Sequence, residues 1–390
     1  MTEKGVPYWR LSSFYFFYFA SLGALLPYWS LYLKSLGFDS IAIGAIIAVI
    51  PATKIFAPYV WGWISDHTGH PIKIIRLTNF LAVVAFAGVF FSDSFFWLML
   101  IMFAFSVFWN SSLPLIESTT LNHLGDDHHD YSGIRLWGSL GFILTVGVLG
   151  EVLETGSITL VPIVILGLLI GIFLMSFFIA ESKPAHHEQQ APILSVIKQP
   201  AVLAFLTVCF LMVLSHGPYY TFYSIYLEEH GYSRRMIGIL WGVGVIAEVA
   251  VFLLMNRLLP LLGIRKLLLM TFLFTAIRWL LIGYFVESVA ILFLAQLFHA
   301  FSFGVFHAVG ITLIHHYFKG KHQDRGQALY SSLSFGVGGA LGSFLSGVFW
   351  DRMDHGILFS SAAIVAFIAL FIVWKYMKTD IQQFSTKEVR

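Results

Sequence analysis

Charge is scarce in this sequence. Asp, Glu, Lys and Arg make up 11% of its 390 residues against 58% hydrophobic ones, and the mean hydropathy is +0.81. Soluble domains carry about 25% charged residues, so a water-soluble globule is excluded. Cysteine is scarcer still: a single Cys209 forbids an intrachain disulfide and, inside an apolar stretch, is expected to pack. The chain also lacks a GxxxxGK[ST] phosphate loop, which argues against ATP-driven transport. No nucleophile and base stand at a recognisable spacing, so an intramembrane hydrolase is not indicated.

What the chain has is long apolar runs. Twelve stretches are centred near residues 22, 52, 83, 109, 143, 169, 214, 247, 275, 302, 338 and 366, and about 20 apolar residues suffice to cross a bilayer as a helix. An all-α polytopic membrane protein with twelve transmembrane helices follows, with too little chain left over for a soluble catalytic domain. The first stretch is longer than a signal-peptide core and has no small-residue cleavage site before Lys34, so it is expected to be retained. Placing both termini in the cytoplasm leaves only Lys34, Arg234, Arg235 and Arg352 outside, which sets the orientation. The net charge of +2 and the scattered basic residues describe neither a nucleic-acid stripe nor a lipid-binding cluster. The expected partners are a small-molecule substrate and membrane lipid, and the expected state is a monomer in a bacterial-type inner membrane.

An internal repeat organises the stretches. "YWSLYLKSLGFDSIAIGAI" from Tyr28 and "FYSIYLEEHGYSRRMIGIL" from Phe222 match at an offset of 194, aligning Ser30, Tyr32, Leu33, Gly37, Ile43 and Gly44 with Ser224, Tyr226, Leu227, Gly231, Ile237 and Gly238. "GIRLWGSLGF" from Gly133 meets "GQALYSSLSF" from Gly326 at nearly the same offset. The chain therefore reads as two six-helix halves, 1–180 and 201–390, joined by a polar cytoplasmic linker at 181–200. Six is even, so both halves enter from the same side, a parallel repeat.

Ionisable groups at helix depth each cost roughly 2.5 to 3.5 kcal/mol on insertion scales and usually face a partner or water. Six stand out: Lys54, Glu117, Arg135, Glu248, Arg278 and His299. Glu248 sits inside "GVGVIAEVAVFLLM", and the repeat places it opposite Lys54 in sign at an equivalent position. Two readings stay open. The pair forms a structural ion bridge between the halves, or at least one acid gains and loses a proton in a shared cavity. Glu117 and Arg135 likewise either snorkel to the interface as an ordinary pair or face the lumen. Gln296, His299, Phe303 and His307 share one helix face, as do His216, Tyr219, Tyr223 and Tyr226, while Tyr15, Tyr18, Trp29 and Tyr32 recur on the first stretch. Such stripes serve packing more often than ligands. "DDHHD" at 126–130 has metal-ligand residue types but no second ligand cluster, so a solvated turn is expected, as for His186, His187, His315 and His316. No metal and no cofactor are expected beyond the proton as coupling ion.

The duplicated twelve-helix plan resembles the major facilitator superfamily. "GWISDHTGHPIK" at 62–73 is similar to that superfamily's G-x-x-x-D-x-x-G loop between the second and third helices, with Gly62, Asp66 and Gly69 in register as a gating loop. His67, His70 and Pro71 depart from its usual basic residues. "YSGIRLWGS", "GVIAEV", "IRW" and "FHAF" resemble the 3-phenylpropionate transporter family and, more distantly, lactose permease. The resemblance implies substrate contacts at Glu117, Arg135 and Glu248, and a proton-coupling network at Arg278 and His299. To these we add Tyr32, Tyr219 and Tyr223 as substrate contacts, and Lys54, Glu248 and His307 for coupling. One departure matters: where lactose permease has a second acid three residues after its tenth-helix histidine, this chain has Ser302, so Glu248, Glu117 or a histidine must carry the proton. The expectation is a proton-coupled symporter working by alternating access on a small organic solute, first an aromatic carboxylate held by aromatic walls and an arginine. The rivals are a proton-antiport multidrug exporter, a nucleoside or oligosaccharide symporter, and a non-transporting receptor.

Overall fold

The computed structural model describes residues 6–125, 129–181 and 193–377. Asp126, Asp127 and His128 of the "DDHHD" run, most of the linker with His186 and His187, and both termini lie outside the described residues.

Helix is the only regular structure among them. The helices are α1 (Tyr8–Ser35), α2 (Ser40–Thr68), α3 (Pro71–Phe90), α4 (Phe95–Leu124), α5 (Tyr131–Thr155), α6 (Leu160–Ser176) and α7 (Pro200–Glu229). A continuous 51-residue run, Arg234–Tyr284, follows. Gly263, at φ 74° and ψ 157°, divides it into α8 (234–262) and α9 (264–284). The series closes with α10 (Val289–Tyr317), α11 (Gln323–Trp350) and α12 (His355–Tyr376). Local chemistry sets many of the ends. Asp39 caps α2 by accepting from the Ala42 amide at 2.8 Å, and Asp354 caps α12 through the Ile357 amide at 3.3 Å. Gly37 and Gly231, partners in the sequence repeat, adopt φ of +86° and +79° just beyond α1 and α7, so the repeat extends to backbone conformation. Large apolar side chains stay exposed, among them Phe91, Phe96, Leu253 and Leu261, as a lipid-facing surface requires.

By contacts the chain divides into two units, Met1–His186 with Gly231–Gly242, and His187–His230 with Val243–Arg390. The first turns of α8 thus group with the first unit, although the repeat assigns them to the second half.

In the first unit α1 packs on α5 and α6. Glycine permits the close crossing: a Cβ added at Gly23 would lie 2.8 Å from the Phe142 carbonyl, and one at Gly141 would collide with the Phe16 backbone. Tyr28 donates to the Val146 carbonyl at 2.7 Å, and its hydroxyl occupies the space over Gly150 and Gly238. Arg235 at the start of α8 pairs with Glu151 of α5 through both carboxylate oxygens. The C-terminal end of α6 is satisfied by cations from neighbouring helices: Arg76 donates to the carbonyls of Ser176, Phe177 and Ile179, and Arg10 to that of Phe178.

In the second unit the core gathers Val202, Phe205, Cys209, Met212, Phe272 and Phe306. Cys209 is 1% exposed, in keeping with a packing role. α7 breaks at His216, where one helical segment ends at Ser215 and the next starts at Gly217. Pro218 has no amide hydrogen to continue the ladder. Gly217 then meets Gly342 of α11 backbone to backbone. α10 and α11 carry wider π-helical turns at Ala300–Val305 and Ser331–Gly338, a feature common at functional sites.

Candidate functional site

Each unit holds one group of polar side chains at helix depth. In the first, Glu117 of α4 faces Arg135 of α5 at 3.6 Å, with about 30% of each side chain exposed. The Arg135 guanidinium lies 4.0 Å over the Phe19 ring and 5.7 Å from that of Tyr15, so α1 supplies the floor beneath the cation. Gly138, one turn after Arg135, makes this possible, because a Cβ there would come within 2.7 Å of Phe19. Tyr15 donates to Thr120 at 3.4 Å.

Lys54 stands apart from that pair. Its amide bonds to Pro51 with a tight 3.0 Å turn, and Ile55 and Phe56 continue the same pattern, so α2 is interrupted there between Ser40–Thr53 and Ala57–Thr68. The freed Ile50 carbonyl accepts from Asn110 Nδ2 at 2.8 Å, and the same nitrogen donates to Thr53 Oγ1 at 2.8 Å. The Lys54 side chain is half-buried and has no ion-pair or hydrogen-bond partner among the described residues.

The second group centres on Arg278 of α9, which is wholly buried. Its Nε donates to the Ala295 carbonyl at 3.1 Å, Nη1 to Ser302 Oγ at 3.0 Å and Nη2 to Gln296 Oε1 at 3.1 Å. The guanidinium also lies 4.2 Å over Tyr219 and 4.8 Å over Trp279. Every one of these partners is neutral. Gln296 knits the group together: its Oε1 accepts from Tyr219 at 3.0 Å while Nε2 donates to Tyr223 at 2.6 Å. Glu248 of α8 faces His299 Nε2 at 3.6 Å, with 14% and 8% of the two side chains exposed. Close helix approach brings them together, since a Cβ at Gly244 would lie 3.1 Å from Gln296 Oε1 and one at Gly304 would meet Val251 and the Glu248 stem. From His299 the rings of Phe303 and His307 continue in a stacked column at 5.6 and 5.9 Å.

Tyr219, Tyr223, Arg278, His299 and Glu248 are therefore brought together in the second unit, with His307 at the end of the column, and Glu117 with Arg135 in the first. Tyr32 is not gathered with Arg135: it packs on Trp29 in the last turns of α1, 17 residues beyond Tyr15. Gly69 ends α2 at φ +67°, and Asp66 is exposed in that last turn, whereas Gly62 has open space where a Cβ would go. Sequence reasoning assigned no role to Gln296, Trp279, Phe19 or Tyr15. Gln296 had a signal, its place one turn before His299 on the same face. Trp279 directly follows Arg278 and Tyr15 stood in the first-stretch stripe, whereas Phe19 had no signal, because it meets Arg135 from another helix.

Helices long and apolar enough to cross a membrane, with polar side chains grouped among them, define a polytopic membrane protein. The sequence profile of the MFS_1-like family matches residues 8–361, and the chain belongs to that family. It is a secondary transporter of the major facilitator fold. It is 28% identical to a probable 3-phenylpropionic acid transporter of Escherichia coli (strain K12), over 92% of this chain and 95% of that protein. It is 23% identical to a maltose permease of Geobacillus stearothermophilus, over 94% of each. Its fold matches the crystal structure of the nucleoside transporter NupG with a TM-score of 0.79 at 17% identity, covering 95% of this chain and 99% of that one.

Proposed function

We propose that this protein imports a small organic acid together with a proton across a bacterial inner membrane, with both termini cytoplasmic. The first substrate to test is an aromatic carboxylate such as 3-phenylpropionate, the compound class named for the Escherichia coli relative. The observation that carries the reading is the Glu248–His299 pair beside an arginine whose own hydrogen-bond partners are all neutral.

The charge balance of that group supplies the coupling. With Glu248 ionised and His299 neutral, Glu248 offsets Arg278 and the group is neutral overall. One proton, shared by the carboxylate and the imidazole, leaves a net positive charge. A bound carboxylate cancels it. The empty form and the form loaded with proton and acid then carry the same net charge, whereas either ligand alone leaves an unbalanced charge at a depth where charge is costly. Alternating access is thereby restricted to the two balanced forms. Glu117 and Arg135, with Tyr219 and Tyr223, provide solute contacts, and His307 extends the proton-accepting column.

Proteoliposomes with an alkaline interior test this. Wild-type protein is expected to accumulate 3-phenylpropionate and to take up protons with it, while Glu248→Gln loses accumulation and keeps exchange of labelled for unlabelled solute. If the Gln variant still concentrates solute, Glu248 is not the coupling acid. Proton-coupled uptake of maltose or uridine in place of the acid redirects the substrate class and leaves the coupling scheme standing.

A further inference from the structure

Three cations lie at helix depth, and two are already engaged. Arg135 is paired with Glu117. Arg278 has Nε, Nη1 and Nη2 each committed to a protein acceptor and is fully buried. Lys54 remains, with no partner for its ammonium among the described residues.

Its position rules out the ordinary escape for a membrane lysine. α2 spans 29 residues, Ser40–Thr68, and Lys54 is its midpoint, so either end is about 21 Å away along the axis. A lysine stem reaches only about 6 Å, too short to snorkel to either interface. The helix is opened at this very residue. Pro51 and Pro58 flank the break, and Pro58 has no amide hydrogen for the Lys54 carbonyl. Asn110 holds the break in place by donating Nδ2 to Ile50 and Thr53. That donation fixes the amide's orientation, since a flipped amide would set its oxygen against the Ile50 carbonyl. Asn110 Oδ1, on a residue 3% exposed, is left without a hydrogen-bond partner. A lysine with no ion-pair partner among the described residues and an unsatisfied buried acceptor on α4 thus belong to the same break in α2, and the lysine's uncompensated charge calls for an anion.

We propose that Lys54 is the residue that binds the carboxylate of the transported solute, with Asn110 positioning the ammonium by accepting from it through Oδ1. The assignment rests on the organic-acid reading above and extends its charge count: Lys54 adds one positive charge to every form, so the empty form and the form loaded with proton and acid still carry equal charge. It also moves Lys54 from proton coupling to solute recognition.

The test compares 3-phenylpropionate with its neutral amide, 3-phenylpropanamide, by thermal stabilisation of purified protein and by uptake. Wild type is expected to prefer the acid. Lys54→Gln is expected to weaken acid binding at least about tenfold while leaving amide binding within twofold, which also reports an intact fold. Lys54→Arg is expected to retain the preference for the acid. Unchanged acid affinity in Lys54→Gln overturns the assignment, as does equal binding of acid and amide by wild type. If wild type accumulates the acid with protons while Lys54→Gln behaves identically, only this assignment fails. If wild type neither binds nor accumulates the acid, the organic-acid reading fails and takes the assignment with it.

Discussion

At the scale of single residues, stability and selectivity both turn on who satisfies Arg278. A buried guanidinium with neutral acceptors is tolerated when its hydrogen bonds are made, and Gln296 contributes one while also bonding Tyr219 and Tyr223. Gln296→Ala is expected to destabilise the protein by about 2 kcal/mol or more, because a buried hydrogen bond to a charged group is worth roughly 1.5 to 3 kcal/mol. The check is the melting temperature in detergent, and an unchanged value counts against the network. Such partners were hard to foresee. The sequence marks Arg278 as costly in lipid, but its acceptors come from two segments of another helix, and nothing in spacing along one helix predicts a contact across two. Glu117 and Arg135 were legible because charged pairs at helix depth are constrained to find each other.

At the scale of helices, departures from regularity matter more than the helices themselves. Apolar length made the twelve spans readable, and the glycines at 37 and 231 made the repeat readable. The interruptions at Lys54 and His216 were not read, although Pro51, Pro58 and Pro218 are visible in the sequence. Proline is tolerated in many membrane helices, so its presence does not say whether the ladder opens. The contact of Gly217 with Gly342 gives a direct test at this scale. A Cβ at position 342 would lie 2.7 Å from the Leu214 carbonyl. Gly342→Ala should therefore lower the melting temperature through overpacking of about 1 to 3 kcal/mol, whereas Gly62→Ala, where a Cβ meets nothing within 4 Å, should not.

At the scale of the whole molecule, its class follows from composition: so little charge spread over twelve apolar spans leaves only a membrane protein, and family membership makes it a transporter. Orientation rests on the distribution of Lys and Arg, and here the burial of Cys209 has a practical consequence. The native chain offers no reachable thiol to a water-soluble maleimide, so any cysteine placed at the surface reports its own compartment against a silent background. With both termini cytoplasmic, Arg352→Cys is expected to react with an impermeant reagent in intact cells, and Lys319→Cys only once the membrane is opened. The reverse pattern would turn the protein over in the bilayer, and with it the direction in which proton and solute are carried.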